Sequence, residues 1–146
     1  MAKKERLWCV GYIINLIVKA LIYGKGVSKL ERLIIGASDH IKFDLMRQRG
    51  FVGKLHNIVK YIMRSTKRRK DFAENQTEAY IKDDLFNQAE LLLVKDGGVW
   101  WNSTYFMLRR ALLLRKAIGK YLLAWRKPAN DSYDLSQDAL TNEDWQ

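Results

Sequence analysis

Apolar positions recur at helical spacing along most of the chain, and glycine or proline falls where the recurrence stops. Leu7, Val10, Ile14, Ile17 and Leu21 lie three or four residues apart, which predicts a first helix whose broad apolar face turns toward a core. Gly24-Lys25-Gly26 ends it. Residues 28 to 47 resume the pattern through Leu30, Leu33, Ile34, Ile41 and Leu45, with a break expected at Gly36-Ala37-Ser38-Asp39. Gly50 and Gly53 bracket a turn, after which Leu55, Ile58, Val59 and Ile62 share one face of a helix over Lys54 to Arg64. Ser65 is placed to cap the next helix, through Asn75. Leu91-Leu92-Leu93-Val94-Lys95, closed by Asp96-Gly97-Gly98, is the one credible strand, although a run this short fits a helix end equally. Asn102 or Ser103 then caps a long helix reaching about Lys127, striped by Tyr105, Leu108, Ala111, Leu112, Ile118, Leu122 and Trp125 and stopped by Pro128. Thr141 with Asp144 forms a near capping box at the extreme end of the chain. The pattern predicts a mainly α fold with at most one or two short strands.

Composition narrows this picture. With 146 residues, 48% apolar, the chain can bury one modest core and is too hydrophobic to be disordered throughout. The lone Cys9 excludes an internal disulfide framework, and two histidines with one cysteine fall short of the usual structural zinc set. Charge is divided along the chain. Residues 1 to 127 carry all 26 Lys and Arg against 11 acids, whereas residues 128 to 146 carry five acids and no Lys or Arg. This divides the chain into a basic body, 1–127, and an acidic, flexible tail, 128–146. A basic surplus of this size favours polyanions, nucleic acid first and an anionic membrane second.

The N-terminus supports a second reading. MAKKER followed by LWCVGYIINLIVKALIY resembles a basic flank and an apolar anchor, so a small basic membrane-associated helical protein anchored by residues 7–23 is the alternative. Asn15 and Lys19 interrupt the apolar run, which falls short of the ~20 residues a spanning helix needs and favours a core helix.

No catalytic constellation stands out. The sequence has no P-loop, no dinucleotide fingerprint, no HExxH and no nucleophile elbow. Asp83 and Asp84 are adjacent and so point about 100° apart on a helix, which makes them solvated surface before metal ligands. His40 and His56 read as surface or boundary residues, and Cys9 with Tyr12 as a pair on one helix face. Lys67-Arg68-Arg69-Lys70 opens a helix with cations at the end where the macrodipole disfavours them, a placement that costs stability unless an anion lies nearby.

Three segments in this order, WCVGYIINLIVKAL, GKLHNIVKYIMRSTKRRKDF and WWNSTYFMLRRALLLRKAI, resemble the middle of a hAT superfamily transposase. The third is the most specific, since Trp101, Asn102, Ser103, Thr104, Met107, Leu108 and Arg110 match an Arg-Trp-Asn-Ser-Thr signature and the helix after it. Cys9, Asn15 and Leu16 match an Arg-Cys-x-x-His-x-x-Asn-Leu segment, and Lys54 to Asn57 with Ser65 to Phe72 match a linking segment. The resemblance covers roughly residues 6 to 127, with a Leu-Thr-x-Glu-x-Trp continuation beyond.

The resemblance implies a partial RNase H-like domain, the central part of the catalytic region with the start of the helical insertion. Intact members hold divalent metal such as Mg on two Asp and one Glu, and no acid here aligns with those positions. The expectation is therefore a truncated, nonautonomous hAT transposase-like protein with residual DNA binding, no enzyme activity, no cofactor of its own and no small-molecule substrate. Its expected partners are DNA, full-length transposase or a second copy of itself, with membrane contact disfavoured, and its expected location is the nucleus, with the cytoplasm as the alternative. The positions marked for DNA by resemblance or charge are Cys9, Tyr12, Lys67, Arg68, Arg69, Lys70, Trp100, Trp101, Asn102, Ser103, Arg109 and Arg110. Three of the family's residues are exchanged: Trp8 and Trp100 stand where Arg is expected, and Tyr12 where His is expected. Each exchange is reachable by one C-to-T base change, which points to a decayed element copy marked by cytosine deamination. The exchanges remove guanidinium donors at 8 and 100 and imidazole chemistry at 12, while Trp101 retains a plane on which an extruded base can stack.

Overall fold

A computed structural model describes residues 10–24, 26–81, 91–97 and 101–146, with Tyr12, Val27, Ser28 and Trp101 described by backbone alone. Among these residues the fold is helical, with no β-strand. The helices are α1 (Val10–Tyr23), α2 (Val27–Ile35), α3 (Asp39–Arg47), α4 (Gly50–Met63), α5 (Thr66–Ala79), α6 (Trp101–Leu113) and α7 (Arg115–Ala124). Short 3-10 turns follow at Leu135–Asp138 and Glu143–Trp145. The break predicted near Gly36 separates α2 from α3, and α4 begins four residues earlier than its periodicity suggests.

The core is built on α4. Its predicted face, Leu55, Ile58, Val59 and Ile62, is buried, and α3, α5 and the C-terminal segment close over it. Gly50 enters α4 at a positive φ of 72°, and a Cβ at Gly53 would lie 1.8 Å from the Met46 carbonyl oxygen, so glycine lets the end of α3 lie directly on α4. On α5, a polar helix, Phe72 and Gln76 are buried and Tyr80 continues the same row beyond its end. Phe72 meets Tyr121 of α7 edge to face at 5.8 Å, which pairs the two helices.

Four expectations are corrected. The long helix after residue 102 is two helices joined at Leu114. The Tyr80 hydroxyl donates to the Leu113 carbonyl (2.8 Å) where the ladder is interrupted, and a side chain inserted at the ladder is a recognised cause of a helix break. The buried stripe consequently runs through Thr104, Met107, Ala111, Leu114, Ala117, Ile118 and Tyr121, and Tyr105 and Leu112 are exposed.

Leu91–Lys95 forms neither helix nor ladder among the described residues. Side chains satisfy its backbone instead. Gln76, with its amide turned to match both groups, donates to the Leu91 carbonyl (3.0 Å) and accepts from the Leu91 N–H (3.1 Å). Arg110 donates to the Leu92 carbonyl (2.6 Å).

The acidic segment 128–146 is packed rather than flexible. Tyr133 and Leu135 are buried in the core, and Trp145 packs against Phe51 at 5.2 Å. Its acids meet the body's cations: Asp131 pairs with Arg68 (2.8 Å), Asp138 with Arg47 (2.9 Å) and Asp144 with Lys54 (3.7 Å). Asp138 is wholly buried and also accepts from Asn57 (3.2 Å) and from the Tyr133 hydroxyl. The charge contrast that sets this segment apart in the sequence is what fastens it to the body. The Thr141–Asp144 box forms, with Asp144 accepting from the Thr141 N–H (2.7 Å), and supports the final 3-10 turn.

The apolar stripe predicted to face the core from α1 points away from it. Val10 and Leu21 are 71% and 80% exposed, and Ile14 and Ile17 are also exposed, whereas Asn15 is buried. Polar attachments set this orientation: Lys19 pairs with Glu31 of α2 (2.7 Å), and Arg49 donates to the Tyr23 carbonyl (3.1 Å). No helix among the described residues is long and apolar enough to cross a membrane.

Candidate nucleic-acid interface

The cations of α5 divide by what they touch. Arg68 donates to the Tyr61 carbonyl (3.2 Å) and to Asp131 (2.8 Å), with its guanidinium 3.7 Å from the centre of the Tyr61 ring. Arg69 donates to the Met63 carbonyl (2.7 Å) and the Thr66 hydroxyl (3.0 Å). Both reach back to the last carbonyls of α4, the negative end of that helix, and this resolves the unfavourable placement at the start of α5. The compensating negative charge comes from α4 and Asp131. Lys67 and Lys70 stay exposed beside them.

Lys67 and Arg68 line a groove of about 550 Å³ between α5 and α7, which Arg126, Asp71 and Glu74 also border. Arg109 and Arg110 lie elsewhere. Tyr80, at the far end of α5, meets Leu113 at the end of α6, so α6 joins α5 at the end opposite its basic start. Arg109 is exposed, and Arg110 is occupied by Leu92.

The signature helix α6 is held by a polar network that joins four parts of the chain. The His56 Nδ1–H donates to Asp96 Oδ1 (2.6 Å) and the Tyr23 hydroxyl donates to Asp96 Oδ2 (3.0 Å), which leaves the Thr104 hydroxyl as donor to Tyr23 (3.3 Å). Burial would raise the Asp96 carboxyl, but the hydrogen bond and charge of His56, then Tyr23, overcome it and hold Asp96 below the usual carboxylate value. Burial first, then the Asp96 charge, push the Tyr23 phenol up. Thr104 of the signature is therefore a buried anchor, while Asn102 is exposed and Ser103 half-buried at the same helix start.

Of the positions marked in the sequence, Cys9 and Trp100 lie outside the described residues, as do Trp8, Asp83 and Asp84. Tyr12 lies on α1 and Trp101 opens α6, each by backbone alone. His40 is a surface residue, 3.4 Å from Asp44 on its own helix. Sequence reasoning missed Tyr23, His56 and Asp96 as a unit. Their only local signal is the Asp96-Gly97 turn ahead of the signature, which reads equally as a loop.

These features define a class: a region helical throughout its regular described elements, with a basic surface and a helix start carrying Asn-Ser-Thr, fixed to neighbouring helices by a buried carboxylate. A family model for the ZBED1 RNase-like helical domain matches residues 7–146. The chain belongs to this family, which is hAT-like and transposase-related. No curated protein and no solved structure matches it.

Proposed function

We propose that this chain is a helical DNA-contacting element of a nonautonomous hAT transposase-like protein, binding nucleic acid in the nucleus without cutting it. The observation that carries the reading is the division of the cations. Arg47, Arg68 and Arg69 are committed to the fold, whereas Lys67, Lys70 and Arg109 remain exposed on helices of a transposase-related domain. Phosphate contacts by such side chains release counterions, so affinity falls with salt. The exposed Asn102 at the start of α6 adds an amide able to reach phosphate or a base edge.

The test is a salt titration of duplex and hairpin DNA binding. A linear fall of log affinity with log salt is expected, and the triple change Lys67→Ala, Lys70→Ala, Arg109→Ala should lower the slope by about 0.9 for each phosphate no longer neutralised. Binding that does not depend on salt, or a slope the triple change leaves untouched, overturns the assignment. Cleavage of labelled DNA in the presence of Mg²⁺ would overturn the non-catalytic part alone.

A further inference from the structure

Asn15, Lys19 and Tyr23 tie α1 to the body and lie on one side of the helix. The opposite side carries Val10, Ile14, Ile17 and Leu21, which follow one another at intervals of four, three and four residues within an arc of about 60°. That spacing is the repeat by which two helices interlock their side chains along a seam. All four are open to solvent, Ile14 least at 44% and Leu21 most at 80%, and Ile13 beside them is exposed as well. Exposed apolar side chains are ordinary when scattered singly, but a contiguous row of five marks a contact surface.

Charge, symmetry and area together decide what the seam fits. Lys19 is the one charged residue among the described residues of α1, and it is turned to Glu31 (2.7 Å). The seam therefore offers nothing to an oppositely charged partner, presents no cations to anionic lipid, and places none of the chain's net charge of +10 where a second copy would meet it. Intervals of four, three and four read the same from either end. An antiparallel copy sets Val10 opposite Leu21 and Ile14 opposite Ile17, each pair occurring twice, which is the self-matching that a two-fold contact requires. It also brings the positive end of each helix beside the negative end of the other. At their exposures the five side chains offer roughly 500 Å² per copy, so a pair covers about 1,000 Å², the lower bound for a specific interface and the size of a reversible one.

We propose that two copies of this chain form a closed, reversible dimer in which α1 lies antiparallel against the partner's α1 along Val10, Ile14, Ile17 and Leu21. None of Lys67, Lys70 and Arg109 lies on α1, so the dimer stands or falls apart from the DNA-contacting function.

The test is sedimentation velocity of the full chain from about 1 μM to about 1 mM, the range in which weak association becomes populated. A monomer that converts to dimer with concentration, and goes no further, is expected. Ile14→Glu and Ile17→Lys should each weaken dimerisation at least tenfold, because every dimer would then bury two unpaired charges. An equimolar mixture of the two variants should recover much of the loss, since antiparallel pairing sets position 14 of one copy against position 17 of the other, whereas parallel pairing does not. Recovery also shows that both variants are folded. Ile35→Ser removes an apolar side chain as exposed as Leu21, at 82%, but on α2, and should leave dimerisation unchanged. A wild type that stays monomeric throughout the range, assembly beyond two copies, a mixture no stronger than its components, or an Ile35→Ser effect equal to that of Ile14→Glu each overturns the proposal. Flotation with vesicles of phosphatidylcholine and phosphatidylserine supplies the last arm. Vesicle binding that Ile14→Glu abolishes, with no dimer in solution, would overturn the dimer and assign the seam to a lipid surface.

Discussion

The described part of α1 matches α5 in length, at 14 residues, and the two use their composition in opposite ways. VGYIINLIVKALIY is far richer in apolar residues, yet its described buried side chain is Asn15, and Val10, Ile14, Ile17 and Leu21 are exposed. TKRRKDFAENQTEA buries Phe72 and Gln76 and packs along α7. A narrow stripe on a polar helix thus has one way to dock, whereas a helix apolar on several sides is oriented by whichever polar side chains find partners first. For α1 those are Lys19 and Tyr23. The same contrast separates two regions: a body of α3, α4, α5, α7 and the C-terminal segment, locked by an apolar core and the buried Asp138, and α1, tied on through polar side chains.

The largest effect should come from cutting the lock. Asp138→Ala leaves the Arg47 guanidinium, Asn57 and the Tyr133 hydroxyl without their shared acceptor. Removing this wholly buried carboxylate takes the acceptor from three donors at once, at about 1 to 2 kcal/mol each, so a total of about 3 to 5 kcal/mol is expected even though Arg47 keeps Asp44 (2.8 Å). Urea unfolding of this variant should show a midpoint lowered in proportion. A loss below about 1 kcal/mol would place Asp138 with exposed pairs and erase the distinction between the regions. Gly53→Ala tests the same body without touching charge. Its new Cβ meets the Met46 carbonyl, a backbone atom unable to swing aside, so a cost of about 1 to 3 kcal/mol is expected in the same assay.

Local periodicity made the α4 face legible, because Leu55, Ile58, Val59 and Ile62 satisfy the helical repeat and no neighbour overrides it. It misassigned α1 because Lys19–Glu31 and Tyr23–Asp96 join residues 12 and 73 positions apart, and periodicity carries no information on such pairs. The bend at Leu114 has a similar origin, in a tyrosine 33 residues upstream of Leu113. The tail was misread from net charge, since five acids without cations resemble a solvated segment until Arg47, Lys54 and Arg68 are brought to them. At the candidate interface, the Lys67–Lys70 run was visible as charge, but its division into two structural arginines and two exposed lysines depends on where α4 ends.

Tyr23→Phe probes the junction between the regions. It removes one hydrogen bond to Asp96 and the acceptor of the Thr104 hydroxyl, and should cost about 1 kcal/mol at neutral pH. The sign with pH follows from Asp96, which is held below its ordinary value of 3.8 in the folded chain. A depressed carboxylate contributes stability that is fully present above the unfolded value and lost as pH falls through the folded one. The destabilisation by Tyr23→Phe should therefore shrink on acidification below 3.8, where wild type loses the same contribution. A difference that stays constant through that range would detach Asp96 from the junction.

The smallest expected effect discriminates best between the two ways of docking a helix. Leu21→Ser changes a residue of the stripe that periodicity assigns to the core, but at 80% exposure Leu21 has little area to lose to water. Away from buried features, substitutions stay within about 0.5 kcal/mol, and this one should do so in urea unfolding. The exposed stripe also predicts self-association through α1, which Leu21→Ser together with Ile17→Ser should reduce in sedimentation at raised concentration. Stability and association are thereby separated. Loss of about 2 kcal/mol from Leu21→Ser would mean that α1 docks through its apolar face after all, and that hydrophobic burial outweighs the Lys19 and Tyr23 attachments in setting its orientation.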